Sequence, residues 1–211
     1  MKKQIISILI VFAILLISCA KEEEKDTISP VISLNGKYED TLSLNASYTD
    51  PGATAQDNAN GDISSSIIKT GTVNADLAGE YNLYYDVSDK EGNKAVTAKR
   101  IVKVVNDAEY LVGVYTAVPS CGATPTSQYD ATITSSSTVN NRFFFSTIVG
   151  GAGNSIAADV NGNNITIPQQ TISNSVYAGT GTVTGNNFSI STTVTYPGTG
   201  AYNCTIPHTR K

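Results

Sequence analysis

The chain has 211 residues, 14 basic against 18 acidic side chains, a net charge of −4 and 40% hydrophobic residues. That length allows two small domains, and the acidic balance excludes the basic face that nucleic acid requires. One histidine and three cysteines, with no C-x-x-C spacing, give no set of ligands for structural zinc.

In chain order, Lys2 and Lys3 precede an apolar run from Ile5 to Ile17, broken only by Ser7. A helix of that length reaches only about 20 Å, short of a hydrocarbon core of roughly 30 Å. A charged start, a short apolar stretch and small residues at a cut describe a secretory signal, here residues 1–18. Leu16-Ile17-Ser18-Cys19 resembles the lipobox, in which a Leu three before and a small residue just before a Cys are read by lipoprotein-processing enzymes. The resemblance implies a bacterial lipoprotein cut at Cys19, lipidated there with at least two chains such as palmitate, and held on a membrane. An uncleaved anchor helix and an ordinary secretory signal with a chance Cys are the alternatives. Cleavage also removes Lys2 and Lys3, leaving 12 basic against 18 acidic side chains, a charge of −6.

Residues 19–26 read as an acidic tether. Lys21-Glu22-Glu23 within it is similar to the surface-export signal of Bacteroidota lipoproteins, which implies the outer membrane's cell-surface face, with the periplasmic face as the alternative. A solvated charge run is the plain reading.

Fourteen of the 18 acids lie between Cys19 and Asn106, and the shift in composition places a domain boundary near Asn106-Asp107-Ala108. Residues 27–106 show strand alternation at Leu42, Leu44, Ala46 and Tyr48, and again at Tyr81, Leu83, Tyr85 and Val87. Lys94 to Val105 reads as another strand with Val96, Ala98, Arg100 and Val102 on one face, after a turn at Asp89-Lys90-Glu91-Gly92-Asn93. No stretch has helical periodicity, so a small β-sandwich is expected. Pro30 to Gly36, Tyr48-Thr49-Asp50-Pro51-Gly52-Ala53 running to Gly61-Asp62-Ile63, and Gly79 to Asp89 together resemble the bacterial surface immunoglobulin-like domain also found in a pesticidal crystal protein. Asn60 stands where that family often has Asp, which would weaken any cation-binding loop. Asp50, Asp57, Asp62 and Asp89 are the candidate calcium ligands here, set against their ordinary role as turn formers.

Residues 107–211 read as an antiparallel meander. Strands are predicted at 110–118, 128–134, 142–147, 156–160, 164–168, 177–184, 188–196 and 201–206. Asn161-Gly162-Asn163 and Gly185-Asn186-Asn187 supply hairpin chemistry. The fold class is therefore all-β: an immunoglobulin-like sandwich followed by a barrel or related sandwich. With Cys19 lipidated, Cys121 and Cys204 remain as a disulfide pair that would pin barrel closure, two free thiols being the alternative. Gly113-Val114-Tyr115 resembles the opening of lipocalin-type barrels, and the whole layout resembles small Bacteroidota surface lipoproteins of uncharacterised function.

No catalytic residue stands out. His208 lies near the end, after Pro207, and reads as a frayed surface residue. Asp130 and Asp159 would make an acid/base pair only if the fold joined them. Gly150-Gly151-Ala152-Gly153 lacks the Lys of a phosphate loop and reads as a flexible loop. The protein is expected to be no enzyme and to need no cofactor. Two functions remain. In one, the immunoglobulin-like domain is a spacer and the second domain binds a glycan or surface protein, with Tyr177, Tyr196 and Tyr202 as stacking platforms, core packing being their ordinary role. In the other, the barrel carries a small apolar ligand, with two rings of Phe143-Phe144-Phe145 on one face and one on the other, ordinary barrel core being the alternative for these rings. Asp26-Thr27-Ile28 and Asp40-Thr41-Leu42 resemble Bacteroidota O-glycosylation sites.

Overall fold

The computed structural model describes residues 24–122, 124–125, 127–150 and 155–211. The signal segment 1–18, Cys19, tether residues 20–23 and the glycines of 151–153 lie outside the described residues.

Seven strands build the first unit: β1 (Val31–Leu34), β2 (Glu39–Ser43), β3 (Ala53–Asp57), β4 (Gly61–Asp62), β5 (Ile68–Thr70), β6 (Gly79–Asp86) and β7 (Ala98–Val105). They make two sheets, β1-β3-β4 and β2-β7-β6-β5, antiparallel throughout except for the parallel pair β2 and β7. Alternation on β6 and β7 buries Leu83, Tyr85 and Val102 between the sheets, with Ile32, Leu34 and Leu42 packed against them. The expected strand through Tyr48 stops at Ser43, because Asn45 takes a positive φ of 65° and turns the chain. Val96 likewise falls outside β7 and is 89% exposed, so it is no part of the buried face.

Arg100, on the inward face of β7, is wholly buried. Its guanidinium donates to the carbonyls of Lys37, Asn35 and Gly52 and to the Tyr85 hydroxyl, and lies 3.4 Å from Asp50. A buried charge is tolerable only when paired and hydrogen-bonded in this way.

The second unit contains β8 (Gly113–Ala117), β9 (Ser120–Cys121), β10 (Thr124–Pro125), β11 (Tyr129–Ser135), β12 (Arg142–Phe145), β13 (Ile156–Asn161), β14 (Asn164–Ile172), β15 (Ser175–Thr184), β16 (Asn187–Tyr196) and β17 (Gly200–Arg210). Strands β8 and β11 to β17 form an up-and-down meander, and β17 returns to pair with β8, closing an eight-stranded antiparallel barrel. Strands β9 and β10 form a short hairpin beside β17. The hairpin glycines Gly162 and Gly185 sit at φ 57° and 60°, conformations glycine adopts without strain. In β14 the register slips between Ile167 and Gln170, and the Gln170 amide bonds both the N–H and the carbonyl of Ala157. The side chain thus substitutes for ladder bonds lost at the bulge.

Tyr115, Phe143, Phe145, Phe188 and His208 meet inside the barrel. As alternation requires, Phe143 and Phe145 point in, fully buried, and Phe144 points out. The reading of His208 as a frayed surface residue is overturned. It is 1% exposed and stacked on Phe188 with centroids 4.4 Å apart. The sequence misleads at Pro207, which was expected to end the strand, yet β17 runs through it to Arg210. The Pro207 carbonyl accepts a bond from Val118 N–H. Its missing N–H lies on that same edge, where the neighbour of β17 changes from β9 to β8, so only the return bond to Val118 is forgone.

The two units are joined closely. Asn106 is 3% exposed; its amide donates to the carbonyls of Ser136, Val139 and Arg142, while its oxygen accepts from Ala108 and Asn141. Asn45 reaches across to Thr138 and Asn140, and Ala78 N–H donates to the Ser137 carbonyl.

Candidate functional site

Strand direction defines two ends of the barrel. Strand β8 starts at the junction with the first unit and runs away from it, and each successive strand reverses. Tyr129, Tyr177, Tyr196 and Tyr202 therefore gather toward the end remote from the junction: Tyr177 pairs with Val194, Val194 with Tyr202, and Tyr196 with Gly200. The rings of Tyr196 and Tyr202 meet edge to face at 5.9 Å. Tyr202 is 46% exposed and Tyr196 partly so. Burial, and then the nearby hydroxyls of Tyr177 and Tyr202, raise the Tyr196 pKa, so the phenol stays neutral at physiological pH. Burial also pushes the Tyr129 phenol up to about 12, while its oxygen accepts a bond from Val149 N–H.

Sequence reasoning named Tyr177, Tyr196 and Tyr202, and the fold brings all three together. Only two present a face to solvent. Tyr177 is 3% exposed and belongs to the barrel core, so it is no stacking platform. On the outer face of β16 and β17, Ser191, Thr193, Asn203 and Thr205 line a shallow depression of about 220 Å³, and the Thr193 hydroxyl bonds the Asn203 amide oxygen. Alternation puts Tyr196 and Tyr202 on the opposite face, with Val194 and Cys204, at the mouth of the barrel. Paired rings partly open at a barrel mouth suit stacking against a sugar or an aromatic side chain.

The barrel interior offers little to an apolar passenger. Ala117, Ala131, Ile133, Phe145, Ile156, Ala158 and Ile206 are each 0% exposed, so none borders a void able to admit even water. A carrier needs a cavity of several hundred Å³.

Cys121 and Cys204 form a disulfide, with Cα atoms 4.2 Å apart, across the paired strands β9 and β17. It ties the segment after the first barrel strand to the last strand. Asp159 receives two bonds from Arg142, and Asp130 pairs with Lys211. The two carboxylates are thus separately partnered, and no acid/base pair forms.

The four candidate calcium ligands separate into two groups. Asp50 is committed to the core: it accepts from the Tyr85 hydroxyl at 2.7 Å and pairs with Arg100 and Lys69. Burial opposes its ionisation, but bonds from Tyr85, Gly52 and Lys69 outweigh that and hold the carboxyl below its usual range. Asp62 caps the short turn at Ser64, bonding that residue's N–H and hydroxyl. Asp57 and Asp89 come together, and with them Asp26, which the sequence assigned to the tether. Nothing in the local pattern around Asp26 signals that proximity. Asn60 donates to Asp57 and Glu91 and so serves as a loop partner of the acids. Thr27 and Thr41 are both exposed.

A larger open groove of about 670 Å³ lies on the first unit, walled by Tyr48, Asp50, Lys69, Asn74 and Asp76. Asp76 also holds Asn45, which is bound to the junction.

Residues 32–104 match the family described as bacterial surface protein, Ig-like domain. This span is similar to that domain, which suggests a cell-envelope or surface location. No curated protein matches the chain. Among solved structures, a lipoprotein from Bacteroides thetaiotaomicron is similar at 20% identity and a TM-score of 0.37, covering 86% of this chain and 100% of its own. A protein of unknown function from the DUF3598 family of Nostoc punctiforme is similar at 11% identity and a TM-score of 0.32, covering 75% of this chain and 82% of its own.

Proposed function

We propose that the protein is a non-enzymatic, lipid-anchored surface lipoprotein whose Ig-like domain is a spacer and whose barrel presents a tyrosine-bearing end to a glycan or surface protein. The observation that carries this reading is the partly exposed Tyr196–Tyr202 pair at the barrel mouth remote from the Ig-like domain. Aromatic rings offer stacking faces at low entropic cost. The bonded junction at Asn106 supports a spacer that transmits position instead of a free hinge. Lipidation at Cys19 supplies the anchor on the membrane's outer face, and the acidic tether bridges the headgroups.

Two measurements test this reading. Cys19→Ala should release the protein from the membrane fraction, and retention of that variant would defeat the anchor. The soluble form should bind members of a glycan array or a surface-protein extract, with Tyr202→Ala lowering affinity about tenfold or more at unchanged melting temperature. Binding that survives both Tyr202→Ala and Tyr196→Ala would move the site elsewhere.

A further inference from the structure

We propose that Asp26, Asp57 and Asp89 bind a hard divalent cation, calcium, at the pole of the Ig-like domain where the chain enters it. Asp57 closes β3, Asp89 opens the turn after β6, and Asp26 lies just before β1. Each offers a carboxylate oxygen, and these oxygens all lie within 4.8 Å of one another. Carboxylates so close can share one cation, and calcium, with flexible geometry and bonds of about 2.3–2.6 Å, suits an irregular set that magnesium, bound to near-ideal octahedra, does not.

The second observation is the state of the oxygens themselves. Asp57 is 8% exposed and Asp89 9%. Asp57 Oδ2 is held by its own loop, accepting from the backbone of Ala59 and Asn60 and from the Asn60 amide. Asp26 Oδ1 accepts from Ile28 N–H and the Asn58 amide. The remaining oxygens, Asp57 Oδ1 and Asp26 Oδ2, are buried without a hydrogen-bond partner. Native proteins rarely leave buried acceptors undonated. Three clustered carboxylates also repel one another, and among the described residues none of the three forms an ion pair. A dication answers both deficits. Asn60 N–H, foremost among the loop donors, keeps Asp57 ionised, and Asn93 holds both Asp89 oxygens. The site is therefore preorganised, with water completing the six to eight oxygens calcium takes.

The consequence is a clamp. The Asn93 amide already donates to the Asp26 carbonyl. A cation on the Asp26 carboxylate would fasten the end of the tether to the β3 and β6–β7 loops. Calcium then fixes how the domain leaves the membrane.

The test uses the full chain in detergent, stripped with EDTA and titrated with calcium alone, with magnesium as a separate arm. Calorimetry should find one calcium per chain, and the melting temperature should rise by several degrees at millimolar calcium and less with magnesium. In Asp26→Asn and Asp89→Asn the calcium-dependent rise should disappear. Asp26→Asn leaves the β3 loop bonds intact, so it should melt no lower than wild type in EDTA, and it decides the matter alone should Asp89→Asn not fold. Absence of binding at millimolar calcium, a calcium rise retained in Asp26→Asn, or equal responses to both cations would overturn the site.

Discussion

At the scale of single residues, His208 has the clearest measurable signature. Burial in the aromatic core lowers its pKa to about 4 from 6.5, against a smaller upward pull from the Ile206 carbonyl. Protonation therefore favours the unfolded chain. Its contribution is intact above about pH 6.5, declines as the pH falls, and is fully lost near pH 4. The drop is on the order of 3 kcal/mol. His208→Leu should flatten the pH dependence of the melting temperature between those limits, and a slope equal to wild type would assign it to other groups. Arg100 illustrates what sequence can and cannot say of one residue. Its place on the inward face of β7 is legible from alternation with Val102, but its partners come from Asn35, Lys37, Asp50, Gly52 and Tyr85, which only the fold assembles.

At the scale of elements, period-two alternation carries most of the information. Strands β6, β8 and β11 to β16 fall close to their sequence-predicted spans, because one face of each is buried and one is not. The misreadings share a cause. Leu44, Ala46 and Tyr48 alternate without being in a strand, and Pro207 lies in a strand where a breaker was expected. Each depends on whether a neighbouring strand supplies a ladder bond at that position, a non-local fact. The disulfide was legible from parity of cysteines and meander order, and it joins residues 83 apart in sequence. Loss of the crosslink in the double variant Cys121→Ser, Cys204→Ser should cost up to about 4 kcal/mol in urea unfolding. No change in midpoint would mean the β8–β17 ladder alone secures closure. Of the candidate site, Tyr196 and Tyr202 were legible as residues, but their meeting follows from the barrel register. Asp26 was invisible because it joins Asp57 and Asp89 only when β1 and β3 pair.

At the scale of the whole molecule, the junction decides whether the barrel is held or merely tethered. The Asn106 amide serves three carbonyls, and the side chain is too buried for water to replace it easily. Asn106→Ala should destabilise the protein by about 1–3 kcal/mol and broaden the spread of inter-domain distances seen by small-angle scattering. An unchanged scattering profile would assign rigidity to the Asn45–Asn140 contacts instead. Closure of the barrel also fixes where the chain finishes. An even number of strands returns β17 to the side on which β8 began, and Lys211 N–H bonds the Val114 carbonyl there. Arg210 lies over Tyr115 and donates to the carbonyls of Tyr110 and Val112. A reporter or affinity tag fused after Lys211 would therefore crowd the Ig-like domain and leave the tyrosine end clear. Peptides meant to be displayed outward belong in the β16–β17 hairpin, at Pro197-Gly198-Thr199.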